Sequence, residues 1–522
     1  MKKILSILVI LMVTGTLVFA GGGGQDRAAG GVPTVNVSVF DRGTDGGRSD
    51  PTNNNYTQWI QERVLRELNI NIVFTAIPRA AETTMLNNMM AAGNPPDICK
   101  TYDQALITNF RDLGGLFDMA PHMSLMPDLD AFLGEDPMLP GRRLIQRSRD
   151  PQTGQIFSIP GRRMNQARIN TFIRKDWLDI LGLPLPNTTM EFYNAMVAFR
   201  DRNPGRVDRV LPIVSGRNIQ WHLGNLFESF IDPNISMRDE WVNTVVDRRF
   251  LLPGYKEGVR FANRMYNEGL IDRDFPLFAS DVEPIARIMA GNAGSYQANF
   301  DQVFRDSPGA LQNLQANIPS AELVAIDPFR HPSGGRTIKY LYDAAGVYLF
   351  IPRSSRVPQE AMRYMNWLGI REVNNFLQLG PEGIAWDMVD GVPLVKPAPG
   401  LWIHNSPQNI DYTLPVNGLD LGDEALTMRG LANSYTVHPQ LIVDAYFLSI
   451  RDARPLPVIP VTLTAAGPYQ QTLIDMGEEL MAQAIAAPAA QFDRVWDDGI
   501  RAWLAAGAET IRQERAQRFI QP

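Results

Sequence analysis

Val35-Asn36-Val37-Ser38-Val39-Phe40, read with Asn71-Ile72-Val73-Phe74-Thr75 and Asp97-Ile98-Cys99, decides the fold class. The first run alternates polar and apolar side chains and is rich in β-branched residues, so it predicts a strand. Tyr56 to Leu68 places Ile60, Val64, Leu65 and Leu68 on one helical face. Thr83 to Ala92 reads as a second helix, stopped by Gly93-Asn94-Pro95-Pro96. Three strands separated by two helices predict a parallel sheet with covering helices. Ligands of such sheets bind at the carboxyl ends of the strands. That rule points to the loop after Phe40 and to the loop Lys100–Gln104.

The same alternation continues downstream. Ile169–Ile173, Gly294–Ala298 and Ala344–Ile351 read as strands. Lys175–Leu183, Tyr193–Arg200 and Gln359–Leu368 read as helices. Thr188 with Glu191 three residues on forms a capping box. The C-terminus is helical over Tyr469–Ala487 and Phe492–Arg518. No repeat with a period of 20–50 residues occurs, which excludes a solenoid.

The remaining chemistry narrows the class. The 522 residues carry a formal charge of −7, which argues against nucleic acid and anionic membranes as partners. Only seven of the 49 cationic residues are lysine; the rest are arginine. Lys2 and Lys3, the uncharged run Ile4–Phe19 and Ala20 predict a secretory signal peptide over residues 1–20. Residues 21–32 read as a flexible tether. Gly21 stands where a lipid-bearing cysteine would be needed, so an exported, unlipidated protein, periplasmic or extracellular, is expected. The one cysteine, Cys99, reads as a small buried residue.

Five segments carry a family resemblance. Leu86 to Ile98, ending Gly93-Asn94-Pro95-Pro96-Asp97-Ile98, resembles a helix–turn–strand unit of the extracellular solute-binding proteins of ABC importers. Gly154 to Pro160, Phe172 to Leu183 with the Thr188 box, Gly346 to Leu368 and Gly380 to Trp386 are similar to further units of that family, in the same order. The family includes maltose-binding protein and oligosaccharide receptors. The resemblance implies an α/β, two-lobed periplasmic-binding-protein fold. Each lobe is a sheet flanked by helices, and a multi-strand hinge joins them. It places crossings near 165–170, 340–345 and 455–460. The N-terminal lobe would be 33–168 plus 342–456, and the C-terminal lobe 169–341 plus 457–522. Closure of the lobes would trap a solute in the cleft and present it to the importer's membrane subunits. An oligosaccharide is the first expectation for that solute, and the receptor is expected to act as a monomer. A peptide or another polar solute is the alternative within the fold.

Aromatic platforms and bidentate side chains suit sugars. Asp41 and Arg42, and Tyr102 and Asp103, stand at carboxyl ends of strands. Asn299, Phe300 and Asp301 follow the strand at 294–298, where the resemblance implies an aromatic contact. Tyr342 and Asp343 lie beside a crossing, Trp221 and His222 in a polar loop, and Tyr469 where the family's late helix implies another aromatic. Arg174, Asp176 and Trp177 belong to a motif shared across ligands, so scaffold roles are expected for them. The arginines leave acidic sugars open, with Arg42 as the residue to test.

An enzyme reading finds little support in the sequence. There is no Gly-x-Ser-x-Gly elbow and no His-Glu-x-x-His. The five histidines, His122, His222, His331, His404 and His438, show no metal-ligand spacing. No cofactor and no metal site is expected. A secreted carbohydrate-active enzyme remains the rival, because acidic residues are too many for sequence to exclude a catalytic pair.

Overall fold

A computed structural model describes residues 31–42, 50–278, 282–306, 308–335, 337–396, 411–459, 461 and 463–520. The expected signal peptide and most of the expected tether lie outside the described residues. Among these residues, no helix is long and apolar enough to cross a membrane.

The fold is α/β. Strands β1 (Thr34–Asp41) and β2 (Asn71–Pro78) pair in parallel over their full length, from Thr34 opposite Asn71 to Asp41 opposite Pro78. The helix Asn55–Leu68 between them buries Tyr56, Ile60 and Val64. Its cap is Asn54, whose side chain accepts from Tyr56 and Thr57 N–H. The third strand starts later than its sequence suggests. β3 is Cys99–Thr101, and Ile98 instead bridges to Val37 in parallel. β3 then belongs to a second sheet with β4 (Ile159–Arg163), β9 (Ala345–Phe350) and β12 (Val416–Asn417), in the order β12-β4-β9-β3. β9 runs antiparallel to both β3 and β4, so this lobe is mixed rather than purely parallel.

The other lobe is built on the order β6-β7-β5-β8, where β5 is Ile169–Arg174, β6 Leu211–Val214, β7 Ala293–Asn299 and β8 Leu323–Ile326. All six residues of β5 are buried. Helices on both sides explain that continuous burial. Arg174 is 1% exposed and donates to both carboxylate oxygens of Asp176 and to the Gly291 carbonyl, which is a scaffold role. Trp177 is wholly buried in the same core. A small hairpin, β10 (Trp386–Val389) and β11 (Val392–Val395), completes the strands.

Between the lobes, the backbone is hydrogen-bonded across three segments. Arg163 N donates to Ala344 O, Tyr342 N to Gln166 O, and Leu341 N to Arg454 O. The helix Pro439–Ile450 departs from the expected boundaries. Expected in the first lobe, it packs on β5 and β8 of the second. Ser449 Oγ accepts from Arg168 N, and Ala445 O from Asn170 Nδ2. Leu441, Ile442, Val443, Tyr446 and Phe447 make this helix apolar on several sides, so its pattern does not say which sheet it covers.

The C-terminal helical region is also not continuous. Phe492–Trp503 and Glu509–Arg518 are separated by a π-turn containing Gly507 at φ 129°. A Cβ there would lie 2.4 Å from Tyr469 Cγ. Gly507→Ala should therefore lower stability by about 2–3 kcal/mol through backbone strain and overpacking. Thermal denaturation checks this, and an unchanged midpoint would contradict the assigned contact.

Candidate interlobe binding cleft

A cavity of about 1170 Å³ opens between the lobes. Its first-lobe wall includes Arg42, Arg79, Tyr102, Arg162 and Arg163; the second lobe supplies Asn299, Phe300, Asp301 and Arg305, and the crossing segment supplies Tyr342. A smaller cavity of about 580 Å³ lies on the other side of Tyr102, which lines both.

Two of the strand-end residues, Arg42 and Tyr102, lie on the wall of the larger cavity. Arg42 follows β1 and donates from Nε to Asp411 Oδ2 at 2.6 Å and from Nη2 to Asp411 Oδ1 at 3.0 Å. Nη2 also reaches the Tyr102 hydroxyl at 3.1 Å. Tyr102 stacks on Phe40 at 5.7 Å, and the Arg79 guanidinium sits 4.4 Å from its ring centre. Lys100, buried in β3, holds Asp411 from the other side at 3.2 Å. Burial alone would raise the Asp411 carboxyl, but Lys100 and Arg42 outweigh it and hold that carboxyl below its ordinary range. Cys99, next to Lys100, is fully buried, and burial pushes its thiol up.

Asp103 caps the helix Gln104–Asp112 and lines the smaller cavity. It also accepts from Gln470 Nε2 at 2.9 Å, a contact between lobes. Asp343 lines the same cavity, pairs with Arg147 and accepts from Ala345 N. Asn299 Oδ1 accepts from the Tyr342 hydroxyl at 2.5 Å. Tyr342 stacks on Trp221 at 6.0 Å. Phe300 and Asp301 lie on the wall but are largely committed: Phe300 packs on Tyr446, and Asp301 holds Arg305 and the Tyr435 hydroxyl.

Four expected contacts need correction. Trp221 lines neither described cavity and stacks behind Tyr342. His222 is 1% exposed and turns its Nδ1 to the Gln297 carbonyl, because its short helix tucks it beneath β7. Tyr469 packs its ring on Gly507 within the core, and the next residue, Gln470, is the one that reaches the cleft. Asp41 is the last residue of β1, paired with Pro78, and lines neither described cavity.

Sequence reading missed Arg79, Arg162, Arg163, Arg305, Asp411 and the chain from Asn417 to Phe447 that closes one side of the cavity. Arg79 directly follows β2, so the strand-end rule would have found it. Asp411 lies 369 residues from Arg42, and no local pattern announces that pairing. Among the described residues, no cluster of three or more His, Cys, Asp or Glu side chains is arranged to hold a metal.

No protein-family model matches the chain. It is 23% identical over 341 residues to the polygalacturonan/rhamnogalacturonan-binding protein YtcQ of Bacillus subtilis, covering 63% of this chain and 64% of the relative. It is 28% identical over 166 residues to the fructooligosaccharide ABC transporter substrate-binding protein FusA of Streptococcus pneumoniae, covering 28% and 29%. The chain spans a little under two thirds of the length of the curated relatives it matches over their longest stretches. The crystal structure of the alginate-binding protein AlgQ2 superposes with a TM-score of 0.65 at 17% identity, covering 93% of this chain and 98% of that one. The relatives and structural neighbours thus include saccharide-binding and extracellular solute-binding proteins and an ABC transporter substrate-binding protein, the kind of protein that the five motifs resemble, and the two-lobed fold is theirs.

Proposed function

We propose that the chain is an exported receptor that captures an oligosaccharide between its lobes and delivers it to the membrane subunits of an ABC importer. The observation that supports this most is the wall of the larger cavity. Rings, amides and guanidinium groups from both lobes face one space of about 1170 Å³. That exceeds the ~300–1,000 Å³ usual for small-molecule sites, so it suits an oligomer better than a single sugar ring. Tyr102 and Tyr342 add aromatic rings to this wall, while Asn165, Gln166 and Asn417 offer donors and acceptors to hydroxyls. A solute touching both lobes binds the closed arrangement better than the open one, and that difference drives closure. YtcQ, FusA and AlgQ2 are each named for a polysaccharide or oligosaccharide, which favours sugar over peptide.

Catalysis is the less favoured reading. A general acid needs a carboxyl raised toward neutrality. Asp411, the buried carboxylate bound to Arg42, is held low instead.

Thermal denaturation of the mature chain against a panel of oligosaccharides and short peptides tests the proposal. A ligand at 100 times its dissociation constant should add about 2.7 kcal/mol of stability. The same ligand should shrink the radius of gyration in solution scattering and be recovered intact. Stabilisation by peptides alone, or consumption of the sugar, would overturn the reading.

A further inference from the structure

We infer that the solute is an anionic saccharide, its acidic groups held by Arg162 and Arg163 at the hinge side of the larger cavity. This rests on the oligosaccharide reading and adds the charge of the sugar.

The charge balance of the wall motivates it. Seven arginines line the cavity against four carboxylates, and no lysine is among the lining residues. Four of the seven have acidic partners: Arg42 has Asp411, Arg305 has Asp301, Arg371 has Asp420 and Arg79 has Glu82. The other three, Arg162, Arg163 and Arg429, donate to backbone carbonyls instead, Arg429 to that of Asp390. Arg162 donates from Nη1 to the Leu133 carbonyl at 3.2 Å, and Arg163 from Nη2 to the Gly346 carbonyl at 3.3 Å. Backbone carbonyls orient a guanidinium without neutralising it. A concave wall with low-dielectric sides focuses the resulting positive field on the space it encloses.

Arg163 is also fixed in place for bidentate work. Its guanidinium lies 4.3 Å from the ring centre of Tyr342, and its buried Nε has no hydrogen-bond partner among the described residues. A planar guanidinium stacked on an aromatic ring and lining the cavity matches a carboxylate or a sulfate ester. The backbone leaves room for it only because residue 346 is glycine. A Cβ on Gly346 would stand 2.8 Å from Arg163 Cβ, 2.9 Å from its Nε and 2.8 Å from Asn417 Nδ2. Gly346 is thus a positioning residue for Arg163, though it does not line the cavity.

Isothermal titration tests the inference with four probes: trigalacturonate, its fully methyl-esterified form, a sulfated carrageenan oligosaccharide, and neutral xylotriose. Acid and ester share one shape and differ in charge. The expected result is that an anionic probe binds and that the ester binds roughly 10- to 150-fold more weakly than the acid, or the sulfated probe far more tightly than the neutral ones. Whether the carboxylate or the sulfate probe wins tells which acid is read. Affinity for that probe should fall as salt rises. Arg163→Gln and Gly346→Ala should each weaken the anionic probe by roughly 10- to 150-fold, leaving any residual affinity for the ester unchanged. Equal affinity for acid and ester, or neutral xylotriose bound more tightly than both anionic probes, would overturn the anionic inference while leaving the receptor reading intact. Failure of every saccharide while peptides stabilise the protein would overturn both. The wild-type comparison of acid with ester decides the matter even if a variant fails to fold.

Discussion

Glu228→Ala should cost about 3–5 kcal/mol of stability, read as an earlier midpoint in guanidinium denaturation. Glu228 is 2% exposed beneath the cleft. Its carboxylate accepts from Arg168 Nη1 at 3.0 and 3.3 Å and lies 3.3 Å from Arg249 Nη1. Arg168 and Arg249 are themselves 7% and 1% exposed. Deleting the carboxylate takes the shared counter-charge from two guanidinium groups that water hardly reaches. Arg249 keeps Asp247 at 3.1 Å, so the larger part of the loss falls on Arg168. Replacing Arg168 and Glu228 together with Met and Leu should recover most of the stability, because a buried pair is rarely worth more than well-packed apolar groups. A single-variant loss under about 1 kcal/mol would mean that water enters the network. Binding should respond too, since the Arg168 guanidinium lies 5.4 Å from the ring of Trp221, which stacks on Tyr342 at the cavity wall.

Local pattern carried the scaffold and much less of the site. The alternation of Val35, Val37 and Val39 states which face of β1 is buried, and all three are at most 2% exposed. The capping box at Thr188 forms as its spacing requires, with Glu191 reaching back to the Thr188 N–H. Both signals depend on neighbours within a few residues. The cleft obeys no such rule. Arg42 is oriented by Asp411 and Arg163 by Gly346, across 369 and 183 positions of chain. Strand-end reasoning puts Arg42 and Tyr102 on the cavity wall because topology alone brings those positions there. It failed for Asp41, which lines neither described cavity, while His222, read from a polar loop, and Tyr469, read from the family resemblance, turned their rings inward to fill the core. Rings pack well in either environment, so residue type does not decide their direction.

Asp411→Asn is expected to cost stability at neutral pH on the same scale, about 3–5 kcal/mol, and to weaken solute binding as well. Lys100 is 1% exposed and points its ammonium at Asp411; Arg42 meets the same carboxylate with two hydrogen bonds. An amide of the same shape keeps the packing but leaves the two cations without that negative charge. Arg42 then loses the fork that aims it beside Tyr102 at the cavity wall. The pH dependence gives an independent check. Lys100 and Arg42 hold the folded-state carboxyl below its ordinary range against the opposing effect of burial. A carboxyl depressed in the folded state stabilises fully above its unfolded value, about 3.9, and loses that contribution as pH falls through the folded value. Wild type and Asp411→Asn should therefore differ most near neutrality and converge in acid, because protonated Asp411 is nearly as neutral as asparagine. Chemical denaturation of both proteins from about pH 7 down to about pH 2 measures the gap directly, across the range where a carboxyl of this kind titrates. A gap that stays constant over that range would show that the lost stability comes from packing rather than charge. A gap that closes would assign it to the electrostatic clamp that sets Arg42 at the cleft.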